Sequence, residues 1–139
     1  MDIAAALDFA RATNNSVLTT IRRDGRAQLS NVTHGVDQDG VIHISITADR
    51  AKFFNLTRDP RTSLYVTRPD FQAYAVLDGV AELAPVSADP GDATVDALVA
   101  FYRTIAGEHP DWDDYRRAMV RDHRTLVSLA PTHAYGWLG

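Results

Sequence analysis

Arg50 and Lys52 stand two residues apart, between a strand-like run and a short helical one. Two cations at that spacing, beside a helix N-terminus whose free N–H groups favour anions, make a compact clamp for a phosphate or a carboxylate. The arginine brings a bidentate fork and the lysine a mobile ammonium. Lys52 is the only lysine among fourteen basic residues. Two solvated charges on a helix edge fit the same spacing equally well. A second cluster is Gln28, Ser30 and Asn31, continued by Thr33 and His34 in a run that otherwise reads as barrel wall. Buried polar atoms need partners, and a planar heterocycle with carbonyl and N–H edges offers them; a strand wet on one face needs none.

Other chemistries find no support. There is no Gly-x-Ser-x-Gly, no His-Glu-x-x-His and no glycine-rich phosphate loop. His34, His43, His109, His123 and His133 lack any short-range ligand spacing, so no metal is expected. With no cysteine, disulfides, thiolate metal sites and a cysteine nucleophile are excluded.

The elements that must position the two clusters are mostly strands. Asp2 can cap a short amphipathic helix to Arg11. Ser16–Arg22 and Ala27–Val36 flank an Asp24-Gly25 turn and predict a hairpin. Val41–Thr47 alternates Ile42, Ile44 and Ile46 with His43, Ser45 and Thr47, the period of a half-buried strand. Asp49–Asp59 reads as a short helix with Asp49 as its cap and Pro60 as its stop. Strands follow at Thr62–Thr67 and Ala73–Leu83, the latter long enough to bend round a barrel at Gly79. Thr94–Ile105 carries a clear helical stripe, Asp111–Val120 is a second helix, and Thr125–Leu129 and Thr132–Leu138 close the chain as short strands. Hairpin-length turns favour an antiparallel barrel over a parallel sheet.

At 139 residues there is room for one domain, 1–139. Apolar runs are short and the first residues carry Asp2, Asp8 and Arg11, so neither a membrane span nor a signal peptide is expected, and a cytoplasmic location follows. The net charge of −4 hides an asymmetry: residues 1–68 hold nine cations against seven carboxylates, the remainder five against eleven. The excess peaks between Arg50 and Arg68, which suits a small anionic ligand better than nucleic acid.

The stretch Asp24-Gly25-Arg26-Ala27-Gln28-Leu29-Ser30-Asn31-Val32, with Ser45 to Thr47, Arg50-Ala51-Lys52, Asn55-Leu56 and Asp59-Pro60-Arg61, resembles the pyridoxamine-phosphate-oxidase-like split barrels. The similarity continues through Tyr74-Ala75-Val76, Gly79, Ala106-Gly107-Glu108-His109, Asp111 to Arg116 and Thr132 to Gly136. The latter blocks resemble the actinobacterial subgroup that uses the deazaflavin coenzyme F420. The resemblance implies a mainly β, FMN-binding-like split barrel with a short N-terminal helix and an inserted helix pair, assembled as a homodimer. It also implies that Arg50 and Lys52 hold the cofactor's phosphate and acidic tail, and that Gln28, Ser30, Asn31 and Ser45 line its heterocycle. Gln72, Tyr74, His133 and Tyr135 would come from the partner subunit. The implied activity is hydride transfer between reduced F420 and a small organic substrate, with no side chain singled out as acid or base. Ser30 and Gly35 stand where the flavin-using oxidase has an arginine and a lysine, and the oxidase's C-terminal Arg and His pair is missing. Pyridoxamine-phosphate oxidation is therefore not expected. An FMN enzyme of the same fold, or a carrier that binds the cofactor without turnover, are the alternatives.

Overall fold

The computed structural model describes residues 1–139. Eleven elements run in the order α1 (Ile3–Arg11), β1 (Asn15–Ile21), β2 (Ala27–Val36), β3 (Ile42–Thr47), α2 (Ala51–Arg58), β4 (Arg61–Thr67), β5 (Tyr74–Leu83), α3 (Ala93–Ala106), α4 (Trp112–Arg121), β6 (Arg124–Leu129) and β7 (His133–Trp137). All strand pairs are antiparallel. The ring β1-β2-β3-β6-β5-β4 closes on itself because β4 pairs with β1 on one side and β5 on the other, and β7 adds to β5 outside the ring. This is the split barrel expected from the sequence, with the helix pair inserted between β5 and β6.

Strand β5 makes the closure possible. Its first half pairs with β4 and β7, and Ala81–Leu83 then cross to β6. Gly79 sits at the crossover, where a Cβ would lie 2.5 Å from Leu129 Cδ1 and 3.0 Å from the Ala130 carbonyl oxygen, so the bend requires a residue without one.

Alternation sends Leu18, Ile42, Ile44, Ile46, Leu64, Val66, Leu77, Val127 and Leu129 into a core with almost no exposure. Helix α1 adds Ala6, Leu7 and Ala10 to that core; Asp2 caps it, its carboxylate accepting from the Ala4 N–H at 3.3 Å. Buried His34 ties α1 to the hairpin, with Nε2 2.8 Å from the Ala10 carbonyl and Nδ1 2.7 Å from Ser16 Oγ. Helices α3 and α4 pack Val95, Leu98, Val99, Phe101, Tyr115 and Met119 against Leu126 on the outside of β6. Tyr102, His109, Trp112 and Tyr115 lock the pair, every two of their rings lying 5.1–5.7 Å apart.

One local expectation is corrected. Asp49 does not cap α2; Arg50 occupies the N-cap position, in extended backbone, with no side-chain cap hydrogen bond. The chain reverses at 48–50, where the Arg50 N–H donates to Thr47 O (3.3 Å), and this shifts the helix start by one residue. No helix is long and apolar enough to cross a membrane.

Candidate functional site

The barrel is split where β2 leaves β3. Strand β2 pairs with β1 from Ala27 to Thr33, but with β3 only at His34–Val36. The His34 N–H donates to Asn14 O (2.9 Å), which fixes the parity of the ladder. Even-numbered residues bond toward β1, so the backbone N–H and C=O of Leu29, Asn31 and Thr33 face the gap. Such groups take a partner from water or from a ligand.

On the other side of the gap lies a cavity of about 360 Å³, lined by Asn31, Val32, Ser45, Ile46, Thr47, Arg50, Lys52 and Arg124. Arg50 and Lys52 arrive at the start of α2, directly after β3, and Arg124 opens β6 opposite Thr47. The Arg124 Nη1 donates to the carbonyl and the hydroxyl of Ser45, both at 3.4 Å, and its buried Nε has no partner. None of the three cations pairs with a carboxylate. The other cations of the Arg50–Arg68 stretch are accounted for: Arg58 donates to Ile21 O at 2.6 Å, Arg61 pairs with Asp59 at 2.7 Å and Arg68 with Asp70 at 2.8 Å. Burial, then the charges of Arg50 and Arg124, push the Lys52 ammonium below its ordinary value. Three mutually repelling cations with an unpartnered buried N–H fit an oxyanion such as a phosphate.

Two further cavities continue the groove. One, of about 540 Å³, shares Thr47, Arg50 and Arg124 and adds Ala48, Asp49, Phe54, Arg121, Asp122 and His123. The other, of about 380 Å³, shares Asn31 and Val32 and reaches Val17, Tyr65 and Thr67.

The structure thus brings together Asn31, Ser45, Arg50 and Lys52 from the sequence-derived set. Gln28 and Ser30 are registered with Thr20 and Leu18, which are buried, so they turn to the opposite face of β2 from Asn31. The remaining four lie elsewhere. Gln72 is in the exposed turn before β5, and Tyr74, Tyr135 and His133 stand on the outer face of β5 and β7. On that face Asp78 accepts from Ser63 Oγ (2.5 Å) and meets His133 Nδ1 at 3.1 Å, and Tyr65 stacks beside Tyr74 with centroids 5.8 Å apart. Tyr135 and Trp137 are 48% and 64% exposed there. Within one chain these residues do not reach the cations. Arg124 was missed by sequence reasoning, because its place beside Arg50 depends on the β3–β6 register, which pairs Thr47 with Arg124 across a long intervening stretch of chain.

A model of the family described as pyridoxamine 5'-phosphate oxidase matches residues 3–138. Among solved structures, a conserved hypothetical protein, Rv2991 from Mycobacterium tuberculosis, is 24% identical with a TM-score of 0.76, the alignment covering 99% of this chain and 85% of that one. An F420 reductase is 23% identical with a TM-score of 0.64, covering 92% and 94%. The heme storage protein HutZ from Vibrio cholerae is 15% identical with a TM-score of 0.71, covering 100% and 98%. At these identities the likeness speaks for the fold.

Proposed function

This chain belongs to the pyridoxamine 5'-phosphate oxidase family, and from that premise we propose that it is an oxidoreductase that uses coenzyme F420 to exchange hydride with a small organic substrate. The observation that carries the reading is the trio Arg50, Lys52 and Arg124, unneutralised around one cavity beside an open strand edge. These residues hold the cofactor's phosphate. The free backbone groups of Leu29, Asn31 and Thr33 meet the polar rim of its heterocycle, with Asn31 and Ser45 at the same gap. The bound deazaflavin supplies the hydride chemistry, while the protein orients it and excludes water.

One chain leaves this groove open to solvent, and its exposed outer face carries Tyr74, Tyr135 and Trp137. A homodimer that buries this face would bring Gln72, Tyr74, His133 and Tyr135 to the partner's groove. The preference for F420 over FMN rests on the resemblance alone, since Ser30 and Gly35, which stand where the oxidase has two cations, do not line the cavity. An FMN enzyme or a non-catalytic carrier would use the same clamp.

The test is titration of F420 and of FMN into the apo protein, its Lys52→Ala variant and its Arg124→Ala variant. Each variant should lose about 1.5–3 kcal/mol of F420 binding, roughly 10- to 150-fold in affinity. Tighter binding of FMN, or unchanged affinity in both folded variants, would overturn the reading. Oxidation of reduced F420 by quinones and enones separates an enzyme from a carrier.

A further inference from the structure

We propose that Tyr65 is the proton donor of the reaction and that the 380 Å³ cavity beside it seats the substrate, an uncharged planar aldehyde or ketone. The proposal rests on the reading above and assigns the part of the groove that the clamp leaves unused.

Position comes first. Asn31 and Val32 border both this cavity and the cation-lined one, whereas none of Arg50, Lys52 and Arg124 lines it. The cavity therefore adjoins the open edge of β2 on the side away from the phosphate. A heterocycle whose rim meets the Asn31 backbone has this space as its neighbour. Cross-strand register explains the walls. Val17 lies between Asn31 on β2 and Tyr65 on β4, and the next residue, buried Leu18, points inward, so the row Asn31-Val17-Tyr65 faces out of the barrel.

Charge selects the ligand class. The walls are Asn15 and Asn31, Ser16 and Thr67, Val17 and Val32, and Tyr65, with no charged residue among them. A substrate charge desolvated here would find no counter-ion, while a flat uncharged body can lie against the two valines and the tyrosine ring.

The reaction must also supply a proton, and one wall group can. Ser16 Oγ is 2.7 Å from His34 Nδ1, and Thr67 Oγ1 donates to the Arg68 and Ala73 carbonyls at 3.1 and 3.2 Å. The Asn15 and Asn31 amides can donate hydrogen bonds but give up no proton. Tyr65 keeps a free phenol hydroxyl on a half-buried residue, and Tyr74 steadies its ring, with centroids 5.8 Å apart. The substrate's carbonyl carbon gains the hydride as its C=O π bond breaks, the electron pair moves to oxygen, and the Tyr65 O–H bond breaks to make the alcohol O–H. Water returns a proton to the phenolate. The carbonyl gains the two electrons that the reduced cofactor gives up.

The experiment uses the full chain and the uncharged chromophore 4-(dimethylamino)cinnamaldehyde, whose visible band moves to the red when its carbonyl is hydrogen-bonded, with 4-formylcinnamate as the anionic counterpart. The apo protein should bind the chromophore with a red shift, about tenfold or more tighter than 4-formylcinnamate. Tyr65→Phe should bind it within about tenfold of the wild type but without the shift. Val17→Trp, which fills the cavity, should abolish its binding while F420 affinity changes less than about twofold. In single turnovers of reduced F420 with 2-naphthaldehyde, Tyr65→Phe should slow formation of the alcohol by about 100- to 10,000-fold. An unchanged red shift in Tyr65→Phe, or equal binding of the two probes, overturns the proposal, as does chromophore binding in folded Val17→Trp. F420 weakened by Val17→Trp as much as the chromophore also overturns it and gives the cavity to the heterocycle. If F420 fails to bind the wild type while the chromophore binds with a Tyr65-dependent shift, the carbonyl site stands and the F420 reading falls.

Discussion

Lowering the pH from 7.5 to 5.5 should destabilise this protein through His34, and the structure fixes the sign. The imidazole is fully buried, and both ring nitrogens are engaged, Nε2 with the Ala10 carbonyl and Nδ1 with Ser16 Oγ. A carbonyl accepts only, so Nε2 carries the hydrogen, and in the neutral ring that burial favours Nδ1 accepts from the serine hydroxyl. Burial lowers its pKa from the usual 6.5, and the bond to Ala10 only partly opposes this. The unfolded chain therefore binds a proton near pH 6.5 that the folded one refuses. Its contribution is complete above the unfolded value and is lost as the pH falls toward the folded one. One such proton gives a slope of at most about 1.4 kcal/mol per pH unit, large beside a typical stability of about 5–15 kcal/mol. Asp59, held at about 2 by Arg61, and Asp37, held low by His43 and the Val41 and Asp39 N–H groups, stay ionised across this window. Urea unfolding at fixed protein concentration across pH 5.5–7.5 measures the slope. His34→Gln keeps a donor and an acceptor but cannot titrate, so its profile should be flatter than that of the wild type. Parallel profiles would refute the assignment of a neutral, desolvated His34.

Further outcomes follow from geometry. Gly136 has φ 143°, and a Cβ there would overlap the Tyr74 carbonyl oxygen, so Gly136→Ala should cost about 2–4 kcal/mol and loosen β7, read by urea unfolding and by hydrogen exchange at Tyr74–Asp78. Gly35→Ala would bring a Cβ to 2.8 Å from Ile105 Cγ2, with Phe101 and Thr104 at 3.5 Å, and should cost about 1–2 kcal/mol in the same assay. His123→Gly relieves the left-handed backbone and should raise stability by about 0.5–1 kcal/mol in thermal melts. Light scattering should return two chain masses for the wild type, and one for Trp137→Glu, which charges the exposed face of β7; one chain mass for the wild type would remove the partner residues from the site. F420 affinity should fall with added salt less steeply in Lys52→Ala than in the wild type, because that variant has one fewer charge to screen.

The fold was legible because local pattern and tertiary placement agree along most of the chain. Ile42, Ile44 and Ile46 alternate in the sequence and are buried to within 1% in the barrel, and Asp24-Gly25 turns the hairpin. Asp49 misled because a side chain competent to cap is a local property, whereas the helix start is set by how β3 turns back at Thr47. The site was half legible. Arg50 and Lys52 are two residues apart in sequence and line one cavity, but their partner Arg124 comes from a strand far along the chain. Gln28, Ser30 and Asn31 look like one cluster when written in a line. The two-residue period of β2 divides them between its faces, and whether a strand edge is left open depends on where its neighbour departs.

Strand β6 is the last stave of the ring in chain order: it follows the helix pair, lies between β3 and β5, and carries Arg124. Without it, Arg50 and Lys52 have no third cation beside them and β3 has a free side. The clamp is therefore complete only when the barrel is closed, and an anionic ligand held there would bridge the seam. Because it engages residues from both sides of the final seam, each tenfold excess of ligand over its Kd adds about 1.4 kcal/mol against reopening of that seam.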